Sequence, residues 1–324
     1  RAYLEHGMHK LAQPVKLFYS GPFFRHERPQ AGRFRQFHQI GLEAIGTDSP
    51  AADAEAIATL DTMLRTLGVS GVKLKLGSLG SLETRREYHA ELKAYLREHD
   101  SELSRDVRER IDLNPLRAFD SDDPGTRAVM ADAPKIIDRL EGADAEHFEH
   151  VRAYLGVAGV TFELDPTLVR GLDYYTRTIF SFVCDQLGAQ SEVAGGGRYD
   201  GLIEQLGGPP TPAVGWAAGV ERILLALNPE PKAPKGYAFV AIAEQSLVER
   251  ALELVGELRE RGKPAELDLA GRGLKGQLKQ AARIGARWTV IIEADDAAQL
   301  RDMETGDQES VHPDELIERI GGHG

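Results

Sequence analysis

The stretch that decides the fold spans residues 21–43 and reads GPFFRHERPQAGRFRQFHQIGLE. It opens on apolar residues, and arginines then gather around a turn that Pro29 marks. Beyond the turn polar and apolar residues alternate, which places Gln39, Gly41 and Glu43 on one face of a strand. The pattern predicts a β-hairpin with guanidinium groups at its tip and a polar stripe on its return strand.

The hairpin contains four arginines: Arg25, Arg28, Arg33 and Arg35. A guanidinium group is always charged and can bind a phosphate through two parallel hydrogen bonds. A strand with glutamine and glutamate on one face suits a small polar ligand that carries a cationic group. A solvated surface hairpin is the ordinary explanation for dense charge, but the aromatic residues among the arginines favour a binding site.

Composition sets outer limits on the kind of protein. With 324 residues, the chain is long enough for two or three domains and a sizeable core. The single cysteine, Cys184, excludes an intramolecular disulfide framework and a cysteine-built zinc site, and we expect it to be a small buried residue in a reducing cytoplasm. No apolar run predicts a membrane span and no signal peptide is visible. The net charge of −12 argues against nonspecific nucleic-acid binding, although a local basic patch is compatible with it.

Three further segments carry unusual patterns. They are LVRGLDYYTRTIF at residues 168–180, AGGGRYDGL at 194–202 and AVGWAAGVER at 213–222. The hairpin resembles motif 2 of class II aminoacyl-tRNA synthetases, in the form found in histidyl-tRNA synthetases. The three segments resemble that family's two histidine signatures and class II motif 3. Four long motifs in the family's order, spread over nearly the whole chain, are a specific signal.

The resemblance implies an α+β fold, with a class II antiparallel sheet flanked by helices, a helical insertion and a C-terminal α/β anticodon-binding domain. We expect the domains to follow these boundaries: catalytic domain 1–80 and 157–228, helical insertion 81–156, linker 229–235, anticodon-binding domain 236–324. Dense charge and helical spacing support the insertion, and strand–helix alternation after Tyr237 supports the last domain. Residues 160–164 and 177–183 are predicted strands.

The resemblance also raises an expectation about the N terminus. In the family, motif 1 and a Pro-Glu-Gly-Thr element precede the equivalent of Arg1. Motif 1 builds much of the dimer interface, and the glutamate and threonine help to hold the amino acid's ammonium group. We therefore expect this chain to lack the motif 1 region, together with groups that dimerisation and catalysis use.

The resemblance implies roles in ATP binding for four residues. Arg25 would clamp the α-phosphate and the carboxylate, and Arg222 would hold the γ-phosphate. Glu27 would contact the nucleotide or its Mg²⁺, and Arg33 would be a further ATP contact. Arg170 would act beside the reacting carboxylate and phosphate, where other enzymes use a metal ion. The ten histidines show no metal-ligand spacing, so we expect no metal site built by the protein alone.

The resemblance implies a second group of residues for histidine. Glu43 would accept a hydrogen bond from one ring N–H, and the Tyr175 hydroxyl would bond the other ring nitrogen. Gln39 would address the amino-acid backbone, together with Arg170. Tyr174 and Tyr199 would line the pocket, although tyrosines more often serve packing.

The implied activity is ATP-dependent conversion of histidine to histidyl-adenylate, followed by transfer to tRNA(His), by a cytoplasmic homodimer that uses Mg²⁺. One alternative is a synthetase-like regulatory subunit of ATP phosphoribosyltransferase, which drops the C-terminal domain and degrades the histidine signatures. A second alternative is a histidine- or tRNA-sensing module. The C-terminal domain and both signatures are predicted here, and they favour the enzyme. A basic helix in that domain would suit a phosphate backbone, through Arg272, Lys275, Lys279 and Arg283.

Overall fold

The computed structural model describes residues 1–30, 32–170, 172–188, 191–227 and 237–321. The chain divides into two compact units, Arg1–Pro229 and Glu230–Gly324. The linker predicted at 229–235 lies outside the described residues.

A seven-stranded sheet organises the first unit. Its strands are β1 (Val15–Phe24), β2 (Gln36–Ile45), β3 (Val72–Ser78), β4 (Glu163–Leu164), β5 (Thr176–Cys184), β6 (Glu192–Arg198) and β7 (Ala213–Gly219). Their order across the sheet is β1-β2-β7-β6-β5-β3-β4. All neighbours run antiparallel except β3 and β4, which are parallel. The antiparallel sheet of the expected fold class is therefore present.

Helices connect and cover this sheet. They are α1 (Ala2–Glu5), α2 (Pro50–Thr66), α3 (Leu82–Glu98), α4 (Arg105–Arg110), α5 (Pro124–Asp132), α6 (Gly142–Val157), α7 (Leu202–Gln205) and α8 (Val220–Leu227). Short 3₁₀ turns lie at Met8–Lys10, Asp100–Glu102, Pro115–Asp120, Ile136–Arg139 and Asp185–Leu187. Helix α2 begins as its sequence predicts: Ser49 accepts a hydrogen bond from the Ala51 N–H, and Pro50 occupies the first turn.

The hairpin at the start of the chain is confirmed. Strands β1 and β2 pair along their whole length, from Val15 opposite Ile45 to Phe24 opposite Gln36. Strand β1 extends from Val15 to Phe24, because the apolar residues before the arginines continue it. Strand β2 pairs on its other side with β7, which places Glu43 opposite the middle of that strand.

The main core lies between the sheet and two helices. Ile57 and Leu60 of α2, Val151 of α6, Leu76 of β3 and Trp216 of β7 belong to one buried cluster. Burying such apolar side chains contributes about 1.5–3 kcal/mol each. Cys184 is also buried here as a free thiol, as expected.

The strand predicted at residues 160–164 is wrong in its first three positions. Only Glu163–Leu164 pairs with the sheet, parallel to β3. The Val160 N–H donates instead to the Leu155 carbonyl, and Gly159 has a φ of 70°. These are the features of a helix C-terminus closed by a left-handed glycine. Val160 therefore caps α6, and its apolar side chain joins the core without entering the sheet.

Helices α3 to α6 form a helical segment between β3 and β4. Helices α3 to α5 have a core of their own, whereas the buried apolar residues of α6 belong to the main core. Tyr88, Leu92 and Leu96 of α3 are buried with Val107 of α4 and Met130 of α5. The Tyr88 and Tyr95 hydroxyls donate to backbone carbonyls of the same segment, at 2.8 Å each. The apolar faces of α3, α4 and α5 are thus packed against one another.

The second unit is a small α/β fold. It contains β8 (Ala238–Ile242), α9 (Val248–Glu260), β9 (Ala265–Leu267), α10 (Leu274–Arg283), β10 (Trp288–Ala294), β11 (Ala297–Asp302), β12 (Gln308–Val311) and α11 (Leu316–Gly321), with 3₁₀ turns at Gln245–Leu247 and Pro313–Glu315. The sheet order is β12-β11-β10-β8-β9, and β8 is parallel to both β9 and β10. The alternation up to β10 was predicted, whereas β11 and β12 were not. Within the described chain, no helix has the length and apolar character needed to cross a membrane.

A fully buried ion pair ties the sheet to α2. The Arg198 side chain at the end of β6 and the Asp53 side chain are both 0% exposed, and they form a salt bridge. Arg198 also donates to the Thr47 carbonyl at 2.9 Å and to Asp200 Oδ1 at 3.0 Å. His147 Nε2 lies 3.5 Å from Asp53 Oδ2. Burial alone would raise the pKa of Asp53, but His147 and Arg198 lower it below its ordinary value.

Replacing Asp53 with alanine leaves the Arg198 guanidinium buried without its partner, so we expect a loss of about 3–5 kcal/mol in the free energy of unfolding. Urea denaturation at pH 7 measures it. Glu55→Gln is the matched control, because Glu55 lies on the same helix in an exposed pair with Lys16. That change should cost less than about 1 kcal/mol.

The pH dependence follows from the lowered pKa of Asp53. A carboxyl group with a depressed folded-state pKa stabilises the protein above its unfolded pKa of about 3.9. The difference between wild type and Asp53→Ala should therefore be constant at neutral pH and narrow below about pH 4. A gap in unfolding free energy that widens on acidification would contradict the lowered pKa of Asp53.

Candidate active site

An open cleft of about 430 Å³ lies over β2, β6 and β7. It is lined by Tyr19, Arg25, Gly32, Arg33, Phe34, Phe37, Gln39, Arg170, Leu172, Tyr174, Tyr175, Glu192, Val193, Ala194, Gly195, Ala217, Gly219, Glu221 and Arg222. Seven of the ten residues that the sequence singled out are among them. Glu27, Glu43 and Tyr199 are not. All four motifs, which are far apart in sequence, contribute to the lining, and residues 19, 192 and 193 from outside the motifs join them.

Arg25 enters the cleft directly after β1. Its backbone N–H donates to the Arg35 carbonyl across the hairpin, at 2.9 Å. Its guanidinium carbon lies 3.7 Å from the centroid of the Phe37 ring, a cation–π contact that orients the group. Burial, and then the neighbouring Arg33, lower the pKa of Arg25. Within the described chain, Arg25 Nε is buried and has no hydrogen-bond partner.

Arg222 reaches the same cleft from the first turn of α8. Its Nη1 donates to the Gly32 carbonyl at 2.9 Å and its Nε to the Glu192 carbonyl. These bonds join α8 to the hairpin turn and to β6. Burial lowers the pKa of Arg222, and the charges of Arg25 and Arg33 lower it further. Arg25, Arg33 and Arg222 thus lie close enough for their charges to interact, an arrangement that suits a polyanion.

Arg170 comes from the irregular segment between β4 and β5. It forms an ion pair with Glu192 of β6, and its guanidinium carbon lies 5.7 Å from the Tyr175 ring centroid. Burial alone would lower the pKa of Arg170, but Glu192 and Tyr175 raise it above its ordinary value. The ion pair with Glu192 thus holds this group as a cation in the cleft lining.

Glu43 lies under the cleft among tyrosines. It is largely buried and accepts a hydrogen bond from the Tyr199 hydroxyl. The Tyr174 ring centroid is 4.6 Å from that of Tyr175 and 5.9 Å from that of Tyr199. Burial raises the pKa of Glu43 to about 7, while the Tyr199 hydrogen bond acts to lower it. The arrangement pairs one carboxyl group with several phenols at the edge of a polar cleft.

Glycines make room for this arrangement. A Cβ at Gly215 would lie 1.8 Å from Glu43 Oε2, and one at Gly195 would lie 2.5 Å from Arg170 Nη1. Neither position can carry a side chain unless the functional group moves. Within the glycine segment of β6, Gly195 lies in the cleft lining. Gly196 instead packs against Trp216 of the neighbouring strand.

Glu27 stands outside the cleft lining. It follows β1 in the hairpin and pairs with Arg33. Gln39 lines the cleft from β2, between the arginines and Glu43 in the chain. Among the described residues, no group of three His, Cys, Asp or Glu side chains could hold a metal ion. The carboxylates nearest the arginines are Glu192, Glu221 and Glu27.

Four functional candidates were missed from sequence. Glu192 pairs with Arg170, and Glu221 accepts hydrogen bonds from the His38 N–H at 2.9 and 3.0 Å. Tyr19 and Phe37 belong to the hairpin strands and line the cleft. Glu221 adjoins Arg222 in the fourth motif, so its position was a usable signal. Glu192 lies outside every motif, and only the fold brings it to Arg170.

The chain is similar to known proteins over nearly its whole length. A family model for histidyl-tRNA synthetase matches residues 3–223, and one for the anticodon-binding domain matches residues 237–323. The histidine–tRNA ligase of Synechococcus sp. (strain JA-3-3Ab) is 45% identical, over 99% of this chain and 78% of that protein. The crystal structure of apo S. aureus histidyl-tRNA synthetase has a TM-score of 0.70 at 34% identity, covering 98% of this chain and 80% of that one.

A third relative shares the fold alone. The crystal structure of an ATP phosphoribosyltransferase regulatory subunit/histidyl-tRNA synthetase from Bacillus halodurans C has a TM-score of 0.59 at 20% identity, covering 90% of this chain and 77% of that one. The antiparallel sheet, the arginine-lined cleft and the α/β unit define a class II aminoacyl-tRNA synthetase. Within that class, the chain belongs to the histidyl-tRNA synthetase family.

The raised pKa of Glu43 can be tested without any substrate. We expect this carboxyl group to titrate near pH 7, because burial disfavours its charged form. Tyr199→Phe removes the hydrogen bond that favours the carboxylate, so the midpoint should move upward. Infrared difference spectra over pH 5–9 measure the carboxyl band, and Glu43→Gln identifies it. A midpoint that stays in the ordinary range of glutamate, or moves down in Tyr199→Phe, would refute the assignment.

Proposed function

We propose that this chain catalyses the histidine–tRNA ligase reaction, in which ATP activates histidine and the histidyl group is then transferred to tRNA. The observation that carries the proposal is the convergence of Arg25, Arg170 and Arg222 on one cleft. The family match and the 45% identity to a histidine–tRNA ligase support it.

In the first step, a carboxylate oxygen of histidine attacks the α-phosphorus of ATP. A P–O bond to the adenylate forms, and the bond to pyrophosphate breaks with its electron pair leaving on pyrophosphate. Two anions must approach each other, so fixed cations lower the barrier. We assign Arg25 and Arg170 to the reacting carboxylate and α-phosphate, and Arg222 with Arg33 to the outgoing phosphates. Mg²⁺ would arrive with ATP as part of the substrate, with Glu27 as its proposed contact.

The imidazole ring would be recognised from below the cleft. Glu43 as a carboxylate accepts from one ring N–H, and the Tyr175 hydroxyl bonds the other nitrogen. Tyr174 and Tyr199 would close the sides of the pocket, and Gln39 would address the amino-acid backbone. A site whose buried polar groups need partners rejects side chains that cannot supply them. The raised pKa of Glu43 to about 7 means that this carboxylate is formed mainly at and above neutral pH.

The remaining partners are proposed on coarser grounds. Transfer to tRNA(His) is supported by the match of residues 237–323 to an anticodon-binding domain. In that unit Lys275, Lys279 and Arg283 lie on α10, while Arg272 precedes the helix and pairs with Asp268. A homodimer and a cytoplasmic location stay predictions, and sedimentation of the purified protein would test the first.

The reaction is tested by histidine-dependent exchange of labelled pyrophosphate into ATP, measured on the full protein as its gene encodes it. Arg170→Ala should reduce exchange by at least about 100-fold, because it removes charge stabilisation from the transition state. Arg65→Ala is the matched control, since Arg65 lies on the outer side of α2 in an exposed pair with Asp61. It should keep exchange within about twofold of wild type.

Two outcomes would go against the proposal. Full exchange in Arg170→Ala would remove the mechanism. Binding of histidine without any exchange in the wild-type protein would support the sensing module or the regulatory subunit over the enzyme.

A further inference from the structure

The helical segment reaches the candidate active site through β5. Tyr175 and Ile179 are buried in the same cluster as Tyr88 and Leu92 of α3. The segment therefore packs directly behind the tyrosine pair that faces the cleft. Two polar contacts near the start of β5 add to this apolar packing.

The first contact lies at a distorted position of β5. Arg177 has a φ of 47°, and it is the only described residue other than glycine with a positive φ. The register between β5 and β6 shifts between Thr176 and Ile179 at the same place. A left-handed conformation is unfavourable for arginine, so the surroundings must hold it. Bulges of this kind redirect neighbouring side chains, and Tyr175 lies two residues before Arg177.

Arg177 is held by hydrogen bonds to residues at the edge of the helical segment. Its N–H donates to the Gly80 carbonyl at 2.6 Å, and its own carbonyl accepts from the Leu79 N–H at 2.7 Å. Its Nε donates to Asp144 Oδ1 at 3.1 Å. Asp144 is 5% exposed in the first turn of α6, and its other oxygen accepts from the Ser81 N–H at 2.7 Å. One carboxylate thus joins α6, the start of α3 and the bulge.

The second contact acts on Tyr175 itself. Arg85, on the second turn of α3, donates from Nη1 to the Tyr175 carbonyl at 2.7 Å. Burial lowers the pKa of Arg85, and the nearby charge of Asp173 opposes this. Asn114 of the helical segment also donates to Asp173 Oδ1 at 2.8 Å. Neither Arg85 nor Arg177 lines the cleft.

We propose that Arg85 and Arg177 are positioning residues for histidine recognition, through which the helical segment holds the backbone of Tyr175 and so aims its hydroxyl at the imidazole. The inference rests on the proposed function for the identity of the ligand. Because the two residues act through Tyr175, their loss should weaken the binding of histidine and leave the binding of ATP intact. A purely structural role would lower stability or all kinetic constants together.

The test uses pyrophosphate exchange with the full protein and separates the KM for histidine from the KM for ATP. Arg85→Met keeps the length of the side chain but removes the donor, and it should raise the KM for histidine about tenfold. The KM for ATP should stay within about twofold of wild type, because the hairpin and α8 are untouched. Arg85→Lys restores a cationic donor and should recover part of the loss. Arg86→Met is the matched control, since Arg86 is the exposed neighbour on the same helix.

A second variant tests the bulge. Glycine adopts positive φ without strain, so Arg177→Gly removes the ion pair with Asp144 and allows the same backbone. It should raise the KM for histidine in the same direction. The proposal is overturned if both variants keep the KM for histidine within about twofold of wild type. It is also overturned if both variants change the KM for histidine and the KM for ATP by the same factor.

Hydrogen–deuterium exchange separates failure of this inference from failure of the proposed function. In Arg85→Met, the peptide that covers residues 172–176 should exchange faster than in wild type, while peptides of α2 should not change. A wild-type protein without histidine-dependent pyrophosphate exchange would refute the proposed function. An unchanged rate in the 172–176 peptide would refute the anchoring role of Arg85, whatever the activity.

Discussion

The first unit depends on the antiparallel pairing of β2, β7 and β6 at the centre of its sheet. This pairing places Gln39 opposite Gly219 and Glu43 opposite Gly215, and it sets the glycine segment of β6 on the far side of β7. The hairpin, the glycine segment and the strand before α8 therefore share one surface. Because the residue opposite Glu43 is a glycine, no Cβ occupies the space that the Glu43 side chain needs. A Cβ at Gly215 would lie 1.8 Å from Glu43 Oε2.

Four arginines line the cleft, although the chain as a whole is acidic. The protein carries a net charge of −12, yet its cleft collects guanidinium groups. Burial, and then neighbouring arginines, lower the pKa values of Arg25 and Arg222. Glu192 partly compensates this charge by pairing with Arg170. Composition could not reveal the cationic cluster because it averages over the surface, whereas binding depends on local potential.

Local patterns predicted what local physics controls. Alternation predicted the hairpin, and Ser49 with Pro50 accounts for the start of α2, since strand faces and helix caps depend on neighbouring residues alone. The same reasoning failed where tertiary contacts competed. Val160 resembles a strand residue but closes α6. Strand β11 alternates over only a few residues, and β12 has a single buried residue, so neither was predicted. Arg198, within a signature motif, proves to be a buried structural partner of Asp53.

The sequence by itself determined the family, the antiparallel α+β fold and most of the residues that meet in the cleft, because long motifs carry residue types in a fixed order. Tertiary structure alone decided which groups face one another. Three sets of contacts join residues that no local pattern connects. Arg170 pairs with Glu192, the Tyr199 hydroxyl donates to the largely buried Glu43, and side chains of α3 and α6 form hydrogen bonds with β5. Such contacts arise from sheet order and packing, which are properties of the whole folded unit.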